Sequence, residues 1–204
     1  MSSTPFEVYV FDFDGTLVDS AAVKRQAFFD VFPAACAPAV AAVLARDPDG
    51  SRHHVIPEMV AEARRLSLAP AGLDAAALIV AYGEAVERGV QLAPAMPGAE
   101  NVLRAASQAS AYVASMTPQE DLEALLAQRG WLPLLKGAFG YPKAKADVVA
   151  DLLRRHGIAP AQLIVIGDGI SDRTAAERNG CAFHAITSPQ SLLRIPGLRT
   201  EDHA

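Results

Sequence analysis

Cysteine is scarce in this chain of 204 residues: only Cys36 and Cys181 occur, far apart in sequence and neither in a Cys-x-x-Cys pair. That spacing excludes a disulfide framework or a cysteine zinc site as the organising feature. Positive charge is in deficit as well. Eighteen basic residues against 23 acidic ones give a formal charge of −5, which removes the electrostatic ground for a nucleic-acid partner or an anionic membrane surface. Every uncharged apolar run falls short of the roughly 18–20 residues a membrane helix needs. No Lys or Arg stands before Lys24 to open a signal peptide. By elimination, the expectation is a cytoplasmic protein in a reducing compartment, with no membrane or nucleic-acid partner.

What is present suits a folded protein. Hydrophobic residues make up 51% and charged residues 20%, and the 14 Pro and 14 Gly are spread along the chain, so disorder is expected only at the ends. The length allows one domain with a substantial core, or one domain carrying a modest insertion.

The run Val8 to Phe13 reads as a short buried strand that Gly15 and Thr16 turn away sharply. From Ser20 the apolar spacing becomes helical. Val23, Ala27, Phe28 and Val31 recur on one face, and further helices are expected over Pro38–Leu44, Val55–Leu66 and Ala75–Val86, separated by Pro48-Asp49-Gly50 and Pro70-Ala71-Gly72. Pro94 to Gly98 reads as a linker, followed by a helix over Ala99–Ala109 and a strand over Ala111–Ser115. Helices near Gln119–Arg129, Lys145–His156 and Ser171–Asn179 then alternate with strands at Leu163–Ile166 and Ala182–Ile186. That alternation predicts a parallel sheet covered on both faces, with the first strand belonging to it. The fold class is therefore α/β, with residues 1–19 and 96–204 as the core and 20–95 as an all-helical insertion. The tail from Ser188 is left unassigned.

Three acids carry the chemistry. Asp12 and Asp14 lie two residues apart where an apolar strand ends, so in an extended segment they share one side, while Phe11 and Phe13 take the other. Two like charges held so close need a cation or a shared proton between them. Asp168 again ends an apolar strand, Leu163-Ile164-Val165-Ile166-Gly167. If the two strands are neighbours, Asp168 meets the first pair around one ion, and an all-oxygen site with few ligands suits Mg²⁺. Asp172, four residues on, is close enough to order a metal-bound water or the loop, although an acid in a first helical turn is also ordinary.

Asp12 to Asp19, in the order Asp-Phe-Asp-Gly-Thr-Leu-Val-Asp, resembles the first motif of the haloacid-dehalogenase-like (HAD) phosphohydrolase superfamily. Gly167-Asp168 to Asp172 resembles its fourth motif. Ala111 to Ser115, an apolar strand ending in a hydroxyl, is similar to the second, and Gly140-Tyr141-Pro142-Lys143-Ala144-Lys145 to the third. The four occur in the family's order and span essentially the whole chain, with the insertion where the family carries a helical cap; the branch resembled is that of phosphoglycolate phosphatases and β-phosphoglucomutase. The resemblance implies a Rossmann-like doubly wound core and a Mg²⁺-dependent phosphatase acting on a small phosphorylated metabolite. In that reading Asp12 is the nucleophile that becomes an aspartyl-phosphate, and Asp14 is the general acid and base. Mg²⁺ rests on Asp12, Asp168 and the backbone carbonyl of Asp14.

Ser115 and Lys145 hold the phosphate, Lys145 being preferred over Lys143 because relatives with a Pro-x-x-Lys stretch place the lysine there. Thr16 is a further substrate contact. Arg52, in Gly50-Ser51-Arg52-His53-His54, is the cap candidate for a second anionic group. Met116 departs from the family, where a small or amide residue commonly follows the Ser or Thr. Two alternatives stand beside the phosphatase: a phosphomutase of the β-phosphoglucomutase kind, and a catalytically idle domain binding a phosphorylated ligand. Dehalogenases of this family lack the acid at Asp14. Phosphonoacetaldehyde hydrolases need a cap lysine, whereas Lys24 is the only lysine before Lys136. The assembly is expected to be a monomer or homodimer.

Overall fold

A computed structural model of the chain describes residues 6–48 and 50–198. Asp49 of the expected Pro48-Asp49-Gly50 turn, and the tail from Arg199, lie outside the described residues. Strand β1 (Val8–Phe11) is followed by helices α1 (Ala21–Val31), α2 (Ala37–Arg46), α3 (Arg52–Arg65), α4 (Ala75–Leu92) and α5 (Ala99–Ser107). Then come β2 (Ser110–Pro118), α6 (Gln119–Gln128), β3 (Gly137–Tyr141), α7 (Lys145–His156), β4 (Leu163–Gly167), α8 (Ile170–Asn179), β5 (Ala182–Ala185) and the single turn α9 (Pro189–Leu192). The five strands form one parallel sheet in the order β3-β2-β1-β4-β5. A Rossmann-like α/β fold is thus in place.

Burial shows why these segments are strands. Val8, Val10, Tyr112, Ala114, Leu163 and Val165 share a buried cluster with Val148, Val149 and Leu152 of α7 and Ala175 and Ala176 of α8. The alternate residues Tyr9, Phe11, Ala111, Val113, Ile164 and Ile166 are just as buried, so both sheet faces are covered. Such strands read as continuous apolar runs, which is how β1 and β4 announce themselves. The edge strand β3 was not among the expected strands: Gly-Ala-Phe-Gly-Tyr has two glycines and no β-branched residue. β1 stops at Phe11 rather than Phe13, and β2 runs on to Pro118 past Ser115.

The chain divides into two compact units, residues 1–19 with 94–204, and residues 20–93. The return into the first unit comes at Pro94, the first residue of the expected linker and two residues before the core segment expected from residue 96. Backbone bonds explain it: the Asp19 N–H donates to the Pro94 carbonyl at 2.9 Å and the Met96 N–H to the Leu17 carbonyl at 2.9 Å. In the second unit, Phe28, Val40, Val43, Val55, Ile56, Met59 and Tyr82 are core residues. Phe28 stacks on Tyr82 with ring centroids 4.2 Å apart. Helix α3 starts at Arg52, three residues before the expected Val55, because Ser51 caps it by accepting the His53 N–H. Both cysteines are free, and Cys36 is buried in this core. Among the described residues no single helix is long and apolar enough to cross a membrane.

Candidate active site

Strand order decides where the chemistry sits. From β1 the sheet grows through β2 to β3, then the chain returns to the other side of β1 to form β4 and β5. The carboxyl ends of β1 and β4 therefore flank the point where the order reverses, and open α/β sheets bind ligands there. Asp12 continues the ladder by one bond past β1, its N–H donating to the Ile166 carbonyl at 2.8 Å. The residue is 7% exposed, and its Oδ1 accepts from the Phe13 N–H at 2.7 Å and from Lys145 Nζ at 2.8 Å.

Lys145, the first residue of α7, is 5% exposed and bridges two acids, reaching Asp172 Oδ1 at 2.6 Å. Asp172 also accepts the Gly169 N–H on Oδ2 at 3.0 Å, which ties the first turn of α8 to the end of β4. One oxygen each of Asp12, Asp168 and Asp172 lies within 4.8 Å of the others. Asp14 is not in that carboxylate cluster. Burial, the dominant cause, raises the Asp12 carboxyl to about 7; the Lys145 charge opposes this and Asp172 and Asp168 add to it. Burial pulls Lys145 down, but Asp12 and Asp172 outweigh it and its pKa is raised.

Two glycines make room for this cluster. A Cβ on Gly167 would stand 2.2 Å from Asp172 Cγ, and one on Gly15 would stand 2.2 Å from Asp168 Oδ2. Gly15 also has φ +78°, which L side chains rarely adopt. The Gly15 N–H donates to the Val18 carbonyl at 2.9 Å, closing the turn that carries Asp14 and Thr16. The Thr16 hydroxyl is fully buried and donates to Asp168 Oδ1 at 3.3 Å, so here it holds an acid.

On the other flank, β2 steps four residues from Ala114 to Pro118 while β3 steps two from Phe139 to Tyr141. The irregularity lifts Ser115, Met116 and Thr117 out of the regular ladder, a device that re-aims side chains beside functional sites. Ser115 is 1% exposed, and its Oγ donates to Thr117 Oγ1 at 3.1 Å. Thr117 Oγ1 donates to Asp14 Oδ2 at 2.9 Å. Thr117 was not among the expected site residues, and an unpredicted bulge left no signal for it. Arg129 is a second addition: its guanidinium lies 5.6 Å from the Phe13 ring and 5.9 Å from the Trp131 ring. Burial lowers its pKa, with the Asp14 charge opposing.

Lys145, not Lys143, meets Asp12. Lys143 pairs with Asp151 at 2.5 Å on the surface. Arg52 belongs to the second unit, where its Nε lies 3.4 Å from His53 Nε2 and its Nη1 would lie 3.1 Å from a Cβ on Gly83.

Fold and site together define a Rossmann-like enzyme core whose chemistry is built from carboxylates, hydroxyls and a buried lysine. The chain belongs to the haloacid dehalogenase-like hydrolase family, whose family model matches residues 6–180. It is a hydrolase, in the branch that resembles the phosphoglycolate phosphatases. A phosphoglycolate phosphatase of Vibrio vulnificus YJ016 is 26% identical over 197 residues, covering 92% of this chain and 86% of the relative. One from Vibrio cholerae is 26% identical over 205 residues, covering 89% and 84%. Among solved structures, one described as a predicted phosphoglycolate phosphatase from Haemophilus somnus 129PT superposes with a TM-score of 0.64 at 19% identity, covering 91% of this chain and 87% of that one. The haloacid dehalogenase-like protein SP0104 from Streptococcus pneumoniae gives 0.61 at 22% identity, covering 92% and 90%. At such identities the structural likeness speaks for the fold.

Proposed function

We propose that the protein is a Mg²⁺-dependent phosphoric monoester hydrolase that cleaves a small soluble phosphoester through an aspartyl-phosphate on Asp12. The observation that carries this reading is the buried Asp12 carboxylate, held by Lys145 and clustered with Asp168 and Asp172 within 4.8 Å. Three carboxylates beside one ammonium leave an excess of negative charge, and the donor set is all oxygen, which fits Mg²⁺. Asp12 and Asp168 would hold the ion, since Asp172 already spends both oxygens on Lys145 and the Gly169 N–H. Bound there, Mg²⁺ offsets the repulsion between a phosphate dianion and the attacking carboxylate.

The chain's own groups then account for both halves of the reaction. An Asp12 oxygen attacks phosphorus while the bond to the leaving oxygen breaks, and Asp14 gives that oxygen a proton. Asp14 next takes a proton from the water that attacks the phosphoryl group, so that inorganic phosphate leaves and Asp12 is restored. Lys145, at the start of α7, and Ser115, where β2 leaves its regular register, donate to phosphoryl oxygens. The likeness to phosphoglycolate phosphatases makes phosphoglycolate the first substrate to try. A monomer or homodimer working in the cytoplasm on a small phosphorylated metabolite completes the reading.

The test is release of inorganic phosphate from a panel of phosphoglycolate, sugar phosphates and nucleoside monophosphates, with Mg²⁺ and with a chelator. Release that needs Mg²⁺ and falls to background in Asp12→Asn is expected. Sugar phosphates interconverted without release would point to a mutase. Absence of any Asp12-dependent turnover would leave an idle phospho-ligand-binding domain.

A further inference from the structure

A chain of hydroxyls connects the expected phosphate ligand Ser115 to the expected acid and base Asp14. The Ser115 Oγ–H donates to Thr117 Oγ1 at 3.1 Å, the Thr117 Oγ–H donates to Asp14 Oδ2 at 2.9 Å, and the Thr117 N–H returns to Ser115 Oγ at 3.1 Å. The order of donation follows from proton count. An Oδ2 that carries no proton only accepts, whether Asp14 is ionised or protonated on Oδ1, and a hydroxyl has one proton, so Thr117 gives its proton to Oδ2 and accepts from Ser115. The other oxygen of the same carboxylate, Asp14 Oδ1, is buried without a hydrogen-bond partner among the described residues. A buried acceptor left open is costly unless something arrives to use it.

We propose that Thr117 is the positioning residue for Asp14: it pins Oδ2 and so reserves Oδ1 as the oxygen that passes the proton. This rests on the reading of Asp14 as general acid and base. In the first half-reaction, Oδ1–H gives its proton to the leaving oxygen, which keeps the electron pair of the breaking P–O bond as Asp12 bonds to phosphorus. Rotation of the carboxyl group would spoil that alignment, and the hydrogen bond from Thr117 to Oδ2 resists rotation. When phosphate draws the Ser115 proton away, Thr117 loses an incoming donor but keeps its own bond to Oδ2, so Asp14 stays aligned while substrate is bound.

The experiment compares wild type, Thr117→Val and Thr117→Ser on two esters, an alkyl phosphate turned over by the wild type and p-nitrophenyl phosphate. An alkoxide leaving group needs the proton; p-nitrophenolate barely does. Because kcat/KM reports events through the first irreversible step, Thr117→Val is expected to lower it for the alkyl ester by about tenfold or more, part of the ~10²–10⁴ that general acid catalysis supplies. For p-nitrophenyl phosphate the loss is expected to stay within about threefold, and inhibition by inorganic phosphate to change as little, because those terms do not use the proton. Thr117→Ser keeps the hydroxyl and is expected to restore the alkyl ester. Equal losses on both esters, no loss, or a folded Thr117→Ser that fails to restore would overturn the proposal. Thr117→Ala serves the same comparison if the valine variant melts early. A wild type that turns over neither ester fails the phosphatase reading itself and this proposal with it; a wild type active through Asp12, with an unchanged ester ratio in the variants, fails Thr117 alone.

Discussion

Lys143 and Lys145 are alike in residue type and two positions apart, and burial separates them. The Lys145 side chain is 5% exposed between Asp12 and Asp172, whereas Lys143 is 40% exposed against an Asp151 that is 35% exposed. Breaking a buried ion pair from one side costs about 3–5 kcal/mol, because the remaining charge is stranded; exposed pairs contribute about 0–1 kcal/mol. Lys145→Met is therefore expected to lower the melting temperature clearly in chelator, by roughly 2–4 °C for each kcal/mol lost in a chain of this size. Lys143→Met is expected to stay within about 1 kcal/mol of wild type. Calorimetry of the two variants side by side checks this. From sequence, the preference for Lys145 rested on the family's pattern alone; the start of α7 at Lys145 and the position of Asp172 across from it supply the physical reason.

Among the elements, the end of β2 is the least legible in the sequence. The apolar run Ala111 to Ser115 stops where the polar and Pro residues begin, yet pairing resumes at Pro118 opposite Tyr141 after the bulge. Gly140 allows it. A Cβ there would stand 2.6 Å from both Gln119 Cα and the Thr117 carbonyl, and its N–H bonds Gln119 Oε1 at 2.5 Å. Backbone atoms yield less readily than a side-chain tip, so Gly140→Ala is expected to destabilise by about 1–3 kcal/mol, the usual cost of overpacking. Because the displaced segment carries Ser115 and Thr117, turnover is expected to fall alongside stability. Urea unfolding and phosphate release measured on the same preparation check both. The helices were easier: α7 spans Lys145–His156 as its spacing predicts, since helical periodicity survives in any context that buries one face.

For the whole molecule, the crowding of Asp12, Asp168 and Asp172 makes stability depend on pH and on cations. The Asp12 carboxyl is raised from 3.8 to about 7 in the folded chain, chiefly by burial. A folded-state pKa above the unfolded one means the native state keeps a proton that the unfolded chain has released. The stabilisation is full below about pH 4 and is lost as pH rises towards 7. Without divalent cations, the contribution of this site to the melting temperature is therefore expected to fall between pH 5 and pH 7.5, and an Asp12→Asn variant should lose that part of the pH dependence. Mg²⁺ prefers the ionised carboxylates, so its stabilising shift is expected to be larger at pH 7.5 than at pH 5. Differential scanning fluorimetry at the two pH values, with and without Mg²⁺, reads out all three effects.

The alternation of apolar strands with amphipathic helices, and thus the α/β class, is written in the local residue pattern. The same pattern places Asp12 and Asp168 at strand ends, because continuous apolar runs and abrupt carboxylates are local signals that need no partner to be recognised. Which strands are neighbours emerges on folding, and with it the meeting of Asp12 and Asp168 at the ends of β1 and β4. So do the bridge that Lys145 makes from Asp12 to Asp172 and the bulge in β2 that sets Thr117 against Asp14. Those contacts join residues up to 156 positions apart, from Asp12 to Asp168. Their energies depend on burial and register, which local residue patterns do not encode.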